Sequence, residues 1–301
     1  MERRRFGKTG LEVSVLGAGL AEIGDASIDD AESQASLVLN TALDAGINFL
    51  DTSACYGISE QLIGRTIAHR RQHYILATKC GHITAGYEGE EWTVETIKHS
   101  IERSLKRMKT DYLDLVQLHS CGLDILEHGE VTQALLDARQ AGKTRFIGYS
   151  GDNEAAEWAV ESGLFDTLQT SFSVVDQRAR IRLFTQAKAK DMGIIVKRPI
   201  ANAVWGMSAS PSEYAAQYFQ RAQEMLSIGP IPESPSDPIL LSLGFTLAHD
   251  VLDTAIVGTR NPEHMRANIK MVENELPISG EVVSALHRRF ERFEEHWIQL
   301  G

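Results

Sequence analysis

The 301-residue chain is predicted to fold as a (β/α)8 barrel, with an N-terminal hairpin before it and one long loop after the seventh strand. Three observations predict this. Eight short apolar, β-rich runs recur along the chain, stretches of helical character separate them, and eight such units in about 250 residues match the size of the barrel. Uninterrupted strand–helix alternation implies parallel strands joined by right-handed crossovers. A doubly wound sheet obeys the same rule, but eight units favour closure. No repeat is visible in the sequence itself, and a single domain over residues 1–301 holds all the elements.

The opening "RRRFGKTGLEVS" places a Thr-Gly turn between two short β-like runs and reads as the hairpin. The strands follow as "VSVLGAG" (13–19), "NFLDTS" (48–53), "YILATK" (74–79), "YLDLVQLH" (112–119), "TRFIGYS" (144–150), "DTLQTSF" (166–172), "GIIVKRP" (193–199) and "DTAIVGT" (253–259). Between them, "DDAESQASLVLNTALDAG" and "TVETIKHSIERSLKRMK" carry apolar residues at steps of three and four and end on a glycine or a polar stop. After strand seven, five of the eight prolines fall between Pro211 and Pro238, in an excursion that includes the helical piece "PSEYAAQYFQRAQEML". A connection as long as residues 201–238 inside a compact domain reads as a lid or a disordered insertion, with a surface elaboration without function as the bland alternative.

Composition limits the function. With 43% hydrophobic residues the chain can bury a sizeable core, and a net charge of −11 argues against nucleic acid or an anionic membrane as a partner. The basic start "MERRR" is not followed by an uninterrupted apolar stretch, so no signal peptide is expected, and no run of about 18 apolar residues suggests a membrane span. Three cysteines, an odd number, fit a reducing cytoplasm better than a disulfide framework.

In a barrel, chemistry gathers at the C-terminal ends of the strands. Strand two ends at Asp51, strand three at Lys79 and strand four at His119, while Tyr56 stands in the loop after strand two. Titratable residues that end apolar strands are costly to bury unless paired, so Asp51 and Lys79 on neighbouring strands are expected as partners. An ammonium within reach of Tyr56 would favour the phenolate and lower the phenol's pKa, making it a usable proton donor. His119 can donate to a carbonyl oxygen and orient it. These groups protonate an oxygen but carry no reducing electrons, so a hydride-carrying cofactor is implied.

"FLDTSACYG", followed by "SEQLIG", "ATKCG", "LVQLHS" and "GYS" at matching intervals, resembles the aldo-keto reductases over nearly the whole chain, from "FGKTGLEVSVLGAG" to "NPEHMRANI". The resemblance implies the barrel fold, a tetrad of Asp51, Tyr56, Lys79 and His119, and NADPH as the cofactor. It implies that the cofactor lies across the barrel mouth along Gly19, Leu20 and Asp51, with its nicotinamide amide held by Ser150 and Gln169. Gly151 stands where the family usually has an asparagine, for which Asp152 or Asn153 can substitute. Lys197, Arg198 and Pro199 stand where many members have a tyrosine stacked on the nicotinamide ring. "GTRNPEHMRAN" matches the segment that grips the adenosine end, through Gly258, Thr259, Arg260, His264 and Asn268, with backbone amides at the start of a helix suited to an anion. Arg260 lies before that helix, where it can reach a 2′-phosphate, whereas Arg266 is turned to another face.

Two other signals are set aside. "GAGLAEIG" lacks the third glycine of a dinucleotide fingerprint. Cys55, Cys80, His82 and Cys121 all follow strand ends, but no tight Cys-x-x-Cys spacing supports a metal site. Pocket walls are expected from the loops after strands one and four, the proline-rich excursion and the tail "FERFEEHWIQLG", with Trp92, Trp205 and Trp297 as candidate apolar contacts. The substrate expected is a small aldehyde, ketone or sugar-derived carbonyl, or the corresponding alcohol. Two readings compete with carbonyl reduction. One is an NADP(H)-binding sensor with little turnover, and the other is a lyase using Lys79 to form a Schiff base.

Overall fold

In the computed structural model, which describes residues 1–27 and 29–300, β1 (Arg3–Arg5) and β2 (Glu12–Ser14) pair antiparallel around a short 3-10 turn that closes on Gly10 at φ 72°. The run expected as one strand over 13–19 is divided. Asn48 Oδ1 accepts from the Ser14 amide at 2.7 Å and Ser14 Oγ donates to the Leu16 carbonyl at 2.7 Å. These side-chain bonds end the hairpin at Ser14, and β3 (Leu16–Gly19) opens the barrel.

Seven parallel strands follow: β4 (Phe49–Asp51), β5 (Ile75–Cys80), β6 (Leu113–His119), β7 (Thr144–Ser150), β8 (Thr167–Ser171), β9 (Gly193–Lys197) and β10 (Thr254–Gly258). β10 pairs with β9 on one side and β3 on the other, so the strands close in chain order into an eight-stranded barrel. The surrounding helices are α1 (Ala31–Asp44), α2 (Ser59–Thr66), α3 (Val94–Met108), α4 (Leu123–His128), α5 (Glu130–Gln140), α6 (Asn153–Ser162), α7 (Leu183–Ala189), α8 (Ala216–Leu226), α9 (Pro238–Leu247), α10 (Pro262–Asn274) and α11 (Gly280–Phe293). α3 shows why these stretches become helices: Thr93 Oγ1 accepts from the Thr96 amide as an N-cap, and Ile97, Ile101 and Met108 bury one face. Among the described residues no helix is long and apolar enough to cross a membrane.

The alternation of strand residues builds the site. Phe49, Ile75, Leu115, Ile195 and Ile256 form an apolar cluster with Phe6 and Val13 inside the barrel. Two residues further along three of these strands, the same inward face presents Asp51, Ala77 and Gln117, and one more step brings Lys79 and His119. An apolar floor is thus capped by a polar layer at the C-terminal ends. The other strand face packs against the helices in the larger core.

The segment after His119 is not a plain loop but carries α4, which ends at Gly129 with φ 79°. The excursion over residues 201–238 contains α8, and α9 then begins with Pro238 in its first turn and Asp237 accepting from the amides of Ile239 and Leu240. α8 also holds the C-terminal tail. Arg221 donates to the carbonyls of Val175 and Ile298, and Trp297 Nε1 donates to Glu224 Oε2 at 2.6 Å. Gly301, the last residue of the tail expected to wall the pocket, lies outside the described residues.

Candidate active site

Asp51 ends β4 and Lys79 lies one residue before the end of β5, on adjacent parallel strands. Lys79 Nζ donates to Asp51 Oδ2 at 2.6 Å and to the Thr52 carbonyl at 2.9 Å, with both side chains buried. Gln117 and Gln169 complete the polar layer: Gln117 Nε2 donates to Gln169 Oε1 at 2.7 Å, and the two amides approach Asp51 at 3.4 and 3.3 Å. Sequence reasoning placed Gln169 and missed Gln117. Its signal was the step of two between Leu115 and His119, which puts an amide inside the barrel among apolar residues.

A close approach of two loops presents Tyr56. The Ile58 amide donates to the Gly24 carbonyl at 3.0 Å, and a Cβ on Gly57, which has φ 50°, would stand 2.1 Å from the same oxygen. Glycine is required there. The Tyr56 ring then lies with Lys79 Nζ 5.0 Å from its centroid, and its hydroxyl stands 3.5 Å from His119 Nε2. The other ring nitrogen of His119, Nδ1, meets Ser53 Oγ at 3.2 Å and Cys55 Sγ at 3.4 Å. His82 packs on His119 with ring centroids 5.2 Å apart, and Trp92 packs on His82 at 5.0 Å.

Burial dominates the electrostatics of these groups. It pushes the Tyr56 phenol above its ordinary value, and the nearby Lys79 charge only offsets part of that rise. The depression expected from Lys79 is therefore reversed in the protein alone. Burial also opposes the charge on Lys79, but Asp51 and then Tyr56 outweigh it and hold the ammonium above the usual lysine value. For His119, burial and then the charges of Lys79, His82, Lys197 and Arg198 hold the ring down to about 2, so it is neutral at physiological pH.

These residues stand at one end of a cleft of about 960 Å³ across the barrel mouth. The cleft is lined by Gly19, Leu20, Asp51, Tyr56, Lys79, His119, Ser150, Gln169, Lys197, Arg198, Pro199, Gly258, Thr259, His264 and Asn268, which brings together the expected tetrad and every expected cofactor residue except Arg260 and the substitutes Asp152 and Asn153. Arg260 opens into an adjoining hollow beside Ala21, Glu22, Gly24, Asp25, Tyr56 and Gly57, and is 3.7 Å from the Asp25 carboxylate. Arg266 pairs with Glu263 on the surface of α10. The excursion contributes Asn202, Ala203, Pro211, Ser212, Tyr214 and Ala215 to the walls.

Three expectations are corrected. Asp152 and Asn153 do not stand in for the asparagine replaced by Gly151. The Asp152 carboxylate accepts from the Ser171 amide at 2.7 Å and Thr170 Oγ1 at 2.8 Å, and pairs with Lys197 Nζ at 2.9 Å, while Asn153 Nδ2 donates to the Leu300 carbonyl. Gly151 itself leaves no room for a side chain, because a Cβ would meet Tyr149 OH at 2.4 Å. The tail lines a separate hollow with Arg178 and Asp176 rather than the cleft, Trp297 stacks on Phe293, and Trp205 is in the core. Finally, the helix start offers fewer free amides than expected. Pro262 has none and Glu263 donates to Asn261 Oδ1, which leaves that of His264 in the first turn.

Lys197 and Arg198 share Asp152 as their carboxylate, and Arg198 also donates to Ser171 Oγ at 2.9 Å and Tyr218 OH at 3.0 Å. Burial lowers the Lys197 pKa against the pull of Asp152, with Arg198 adding to the burial. Cys80 and Cys121 are buried and Cys55 is exposed, and among the described residues no three candidate ligands come together to hold a metal ion.

A barrel mouth with a buried Asp–Lys pair beneath a tyrosine and a histidine is the arrangement implied by the sequence resemblance, and the family model for the aldo/keto reductase family matches residues 15–288. The chain belongs to the aldo/keto reductase family. It is 28% identical to L-galactose dehydrogenase from Arabidopsis thaliana over 90% of this chain and 88% of that protein. The holo form of an aldo-keto reductase from Bacillus halodurans superposes with a TM-score of 0.81 at 28% identity, covering 96% of each chain. A putative aldo-keto reductase from Pseudomonas aeruginosa gives a TM-score of 0.71 at 29% identity over 94% of this chain and 95% of that one. This aldo-keto reductase is accordingly an oxidoreductase.

Proposed function

We propose that the chain, acting as one domain in the cytoplasm, reduces a carbonyl to an alcohol with NADPH, and that Tyr56 donates the proton. The single observation that carries this reading is the Lys79–Asp51 pair at 2.6 Å beneath Tyr56 and His119, in a cleft of about 960 Å³ across the barrel mouth. The residues present suit that group. Gly19 and Gly258 face each other across the closing strands with no side chains between them, and two cations, Lys197 and Arg198, share one carboxylate where the resemblance puts the nicotinamide ring. Ser150, Gln169, Thr259, His264 and Asn268 line the same cleft and would hold the remainder.

When bound, the reduced nicotinamide supplies the electron pair for the carbonyl carbon as hydride. The protein's own groups handle the oxygen. His119, neutral, orients the carbonyl by donating from Nε2. Tyr56, kept protonated by burial, gives its proton to the oxygen as negative charge develops there, and Lys79 stabilises the phenolate left behind. Asp51 holds Lys79 in place and charged. A Schiff-base reaction at Lys79 is not supported, because that chemistry needs a neutral amine and Asp51 raises the pKa of this one.

The similarity to a sugar dehydrogenase favours a sugar-derived carbonyl, or its alcohol in the reverse direction, within the wider class of small aldehydes and ketones. A screen of aldoses, aldehydes, ketones and sugar alcohols that follows NADPH absorbance, run beside a cofactor-binding titration, tests the reading. Tight cofactor binding with no turnover of any compound would favour a sensor over an enzyme.

A further inference from the structure

We propose that Ser53 is a positioning residue that sets the tautomer of His119: its hydroxyl donates to Nδ1, so that Nε2 carries the ring hydrogen and faces the cleft. The inference rests on the carbonyl-reduction reading for its consequence, though not for its geometry. A neutral imidazole holds one hydrogen, and its two nitrogens then play opposite roles, one donor and one acceptor. His119 is kept neutral by its surroundings, so the choice between them is real.

The choice matters because Tyr56 OH lies 3.5 Å from Nε2. With the hydrogen on Nδ1, Nε2 becomes an acceptor and draws the phenolic proton of Tyr56 toward the histidine, away from a substrate oxygen. With the hydrogen on Nε2, both Tyr56 and His119 present donors to that oxygen. The 3.5 Å contact is too long to decide the matter, so the tautomer is set at Nδ1, where the contacts are shorter.

Two groups meet Nδ1: Ser53 Oγ at 3.2 Å and Cys55 Sγ at 3.4 Å. Ser53 is only 2% exposed, and the Cys55 amide, which can only donate, points its hydrogen at Ser53 Oγ over 3.4 Å. That amide faces the hydroxyl oxygen and leaves its hydrogen free, with two places to go: His119 Nδ1 at 3.2 Å, or Cys55 Sγ at 3.1 Å. An imidazole nitrogen is a far better acceptor than a thiol sulfur. The chain of donation runs from the Cys55 amide to Ser53 Oγ, from Ser53 Oγ to Nδ1, and from Nε2 into the cleft. Cys55 contributes its backbone, and its thiol is not needed.

The test is a histidine tautomer measurement by nitrogen NMR on the full chain labelled with ¹⁵N-histidine, with His119 assigned by its absence from the spectrum of His119→Ala. Wild type is expected to show the Nε2–H form, Ser53→Ala to move to the Nδ1–H form or a mixture, Ser53→Thr to restore the wild-type pattern, and Cys55→Ala to leave it unchanged. With a turned-over carbonyl in hand, Ser53→Ala should lower kcat on the order of tenfold with little change in KM, the worth of one hydrogen bond. An Nδ1–H wild type, a Ser53→Ala spectrum identical to wild type, or a tautomer that follows Cys55 instead would each overturn the proposal. So would a changed tautomer with an unchanged kcat. If no carbonyl is ever reduced, the reductase reading fails by itself while the spectra still decide the role of Ser53.

Discussion

Replacing Lys79 by methionine should cost more in stability than any other single change at the barrel mouth. Lys79 and Asp51 are 1% and 2% exposed, and the 2.6 Å bond between them is the one strong interaction the carboxylate makes. The remaining donors, Gln117 and Gln169, approach at 3.4 and 3.3 Å, well beyond a charge-assisted distance. Lys79→Met therefore leaves a buried charge without a counterion and removes a donor from the Thr52 carbonyl, a loss of about 3–5 kcal/mol. Adding Asp51→Asn removes the orphaned charge, so the double variant should recover most of that loss even though it has two substitutions and no ion pair. Urea unfolding of wild type, both single variants and the double variant completes the cycle. The pH dependence carries a sign as well. Because the folded lysine lies above its unfolded value of about 10.4, its stabilisation is full below that pH and is lost as the pH rises through the folded value. Wild type should weaken in that alkaline range by more than Lys79→Met does. A Lys79→Met variant that loses less than about 1 kcal/mol, or a double variant no more stable than it, would refute the reasoning that the pair is held by mutual need.

Other measurements address the chemistry. Tyr56→Phe should lower carbonyl reduction by roughly 10²–10⁴-fold while the dissociation constant for NADPH stays within a factor of about two, measured by steady-state kinetics and fluorescence titration; retention of half the activity would remove Tyr56 from the reaction. Burial keeps His119 neutral down to about 2, so the pH profile of kcat/KM should show no limb near the ordinary histidine value of about 6.5. The same depression means that its contribution to stability is full above about 6.5 and is lost progressively as the pH falls toward the folded value. Arg260→Ala should weaken NADPH about tenfold and leave NADH unchanged, at the low end for one charge-assisted bond because Asp25 at 3.7 Å competes for the guanidinium; equal weakening of both cofactors would assign no phosphate to Arg260. Residues 201–238 should resist limited proteolysis better with NADPH than without it, since Tyr214 and Ala215 wall the cleft; equal cleavage would make the excursion a surface elaboration.

The barrel was legible because strand and helix periods alternate cleanly, and the strand ends were legible because a charge that closes an apolar run has few bland explanations. Asp51, Lys79 and His119 were therefore found by position, and the structure brings them together. What the sequence hid depends on contacts between distant segments. The split of the run 13–19 follows from Asn48, 34 residues away, bonding to Ser14. Gly151 reads as a missing asparagine, yet the space is filled by the Tyr149 ring, so no nearby residue can take over the position. Asp152 was a candidate until Lys197 and Ser171, on two other strands, were seen to use its carboxylate. The tail was expected over the cleft because its aromatic residues looked like pocket walls, but Arg221 and Glu224 on α8 pin it elsewhere.

The Tyr56 pKa shows why a correct residue can be given an incomplete reason. Charge reasoning from sequence sees Lys79 beside the phenol and infers a lowered value, since the ammonium is named by its letter and the surrounding desolvation is not. In the folded protein burial is the larger influence, and the phenol rises. The rise does not conflict with the proposed role. A donor that must hold its proton until charge develops on a substrate oxygen is better served by a protonated resting state, and the ammonium acts later, on the phenolate. The same burial keeps His119 neutral, which suits the proposed division in which it orients the oxygen and Tyr56 gives the proton. One physical condition, burial at the end of the barrel, thus leaves three neighbouring titratable groups in different charge states: Lys79 stays charged because Asp51 answers it, while Tyr56 and His119 stay neutral because nothing answers them as strongly.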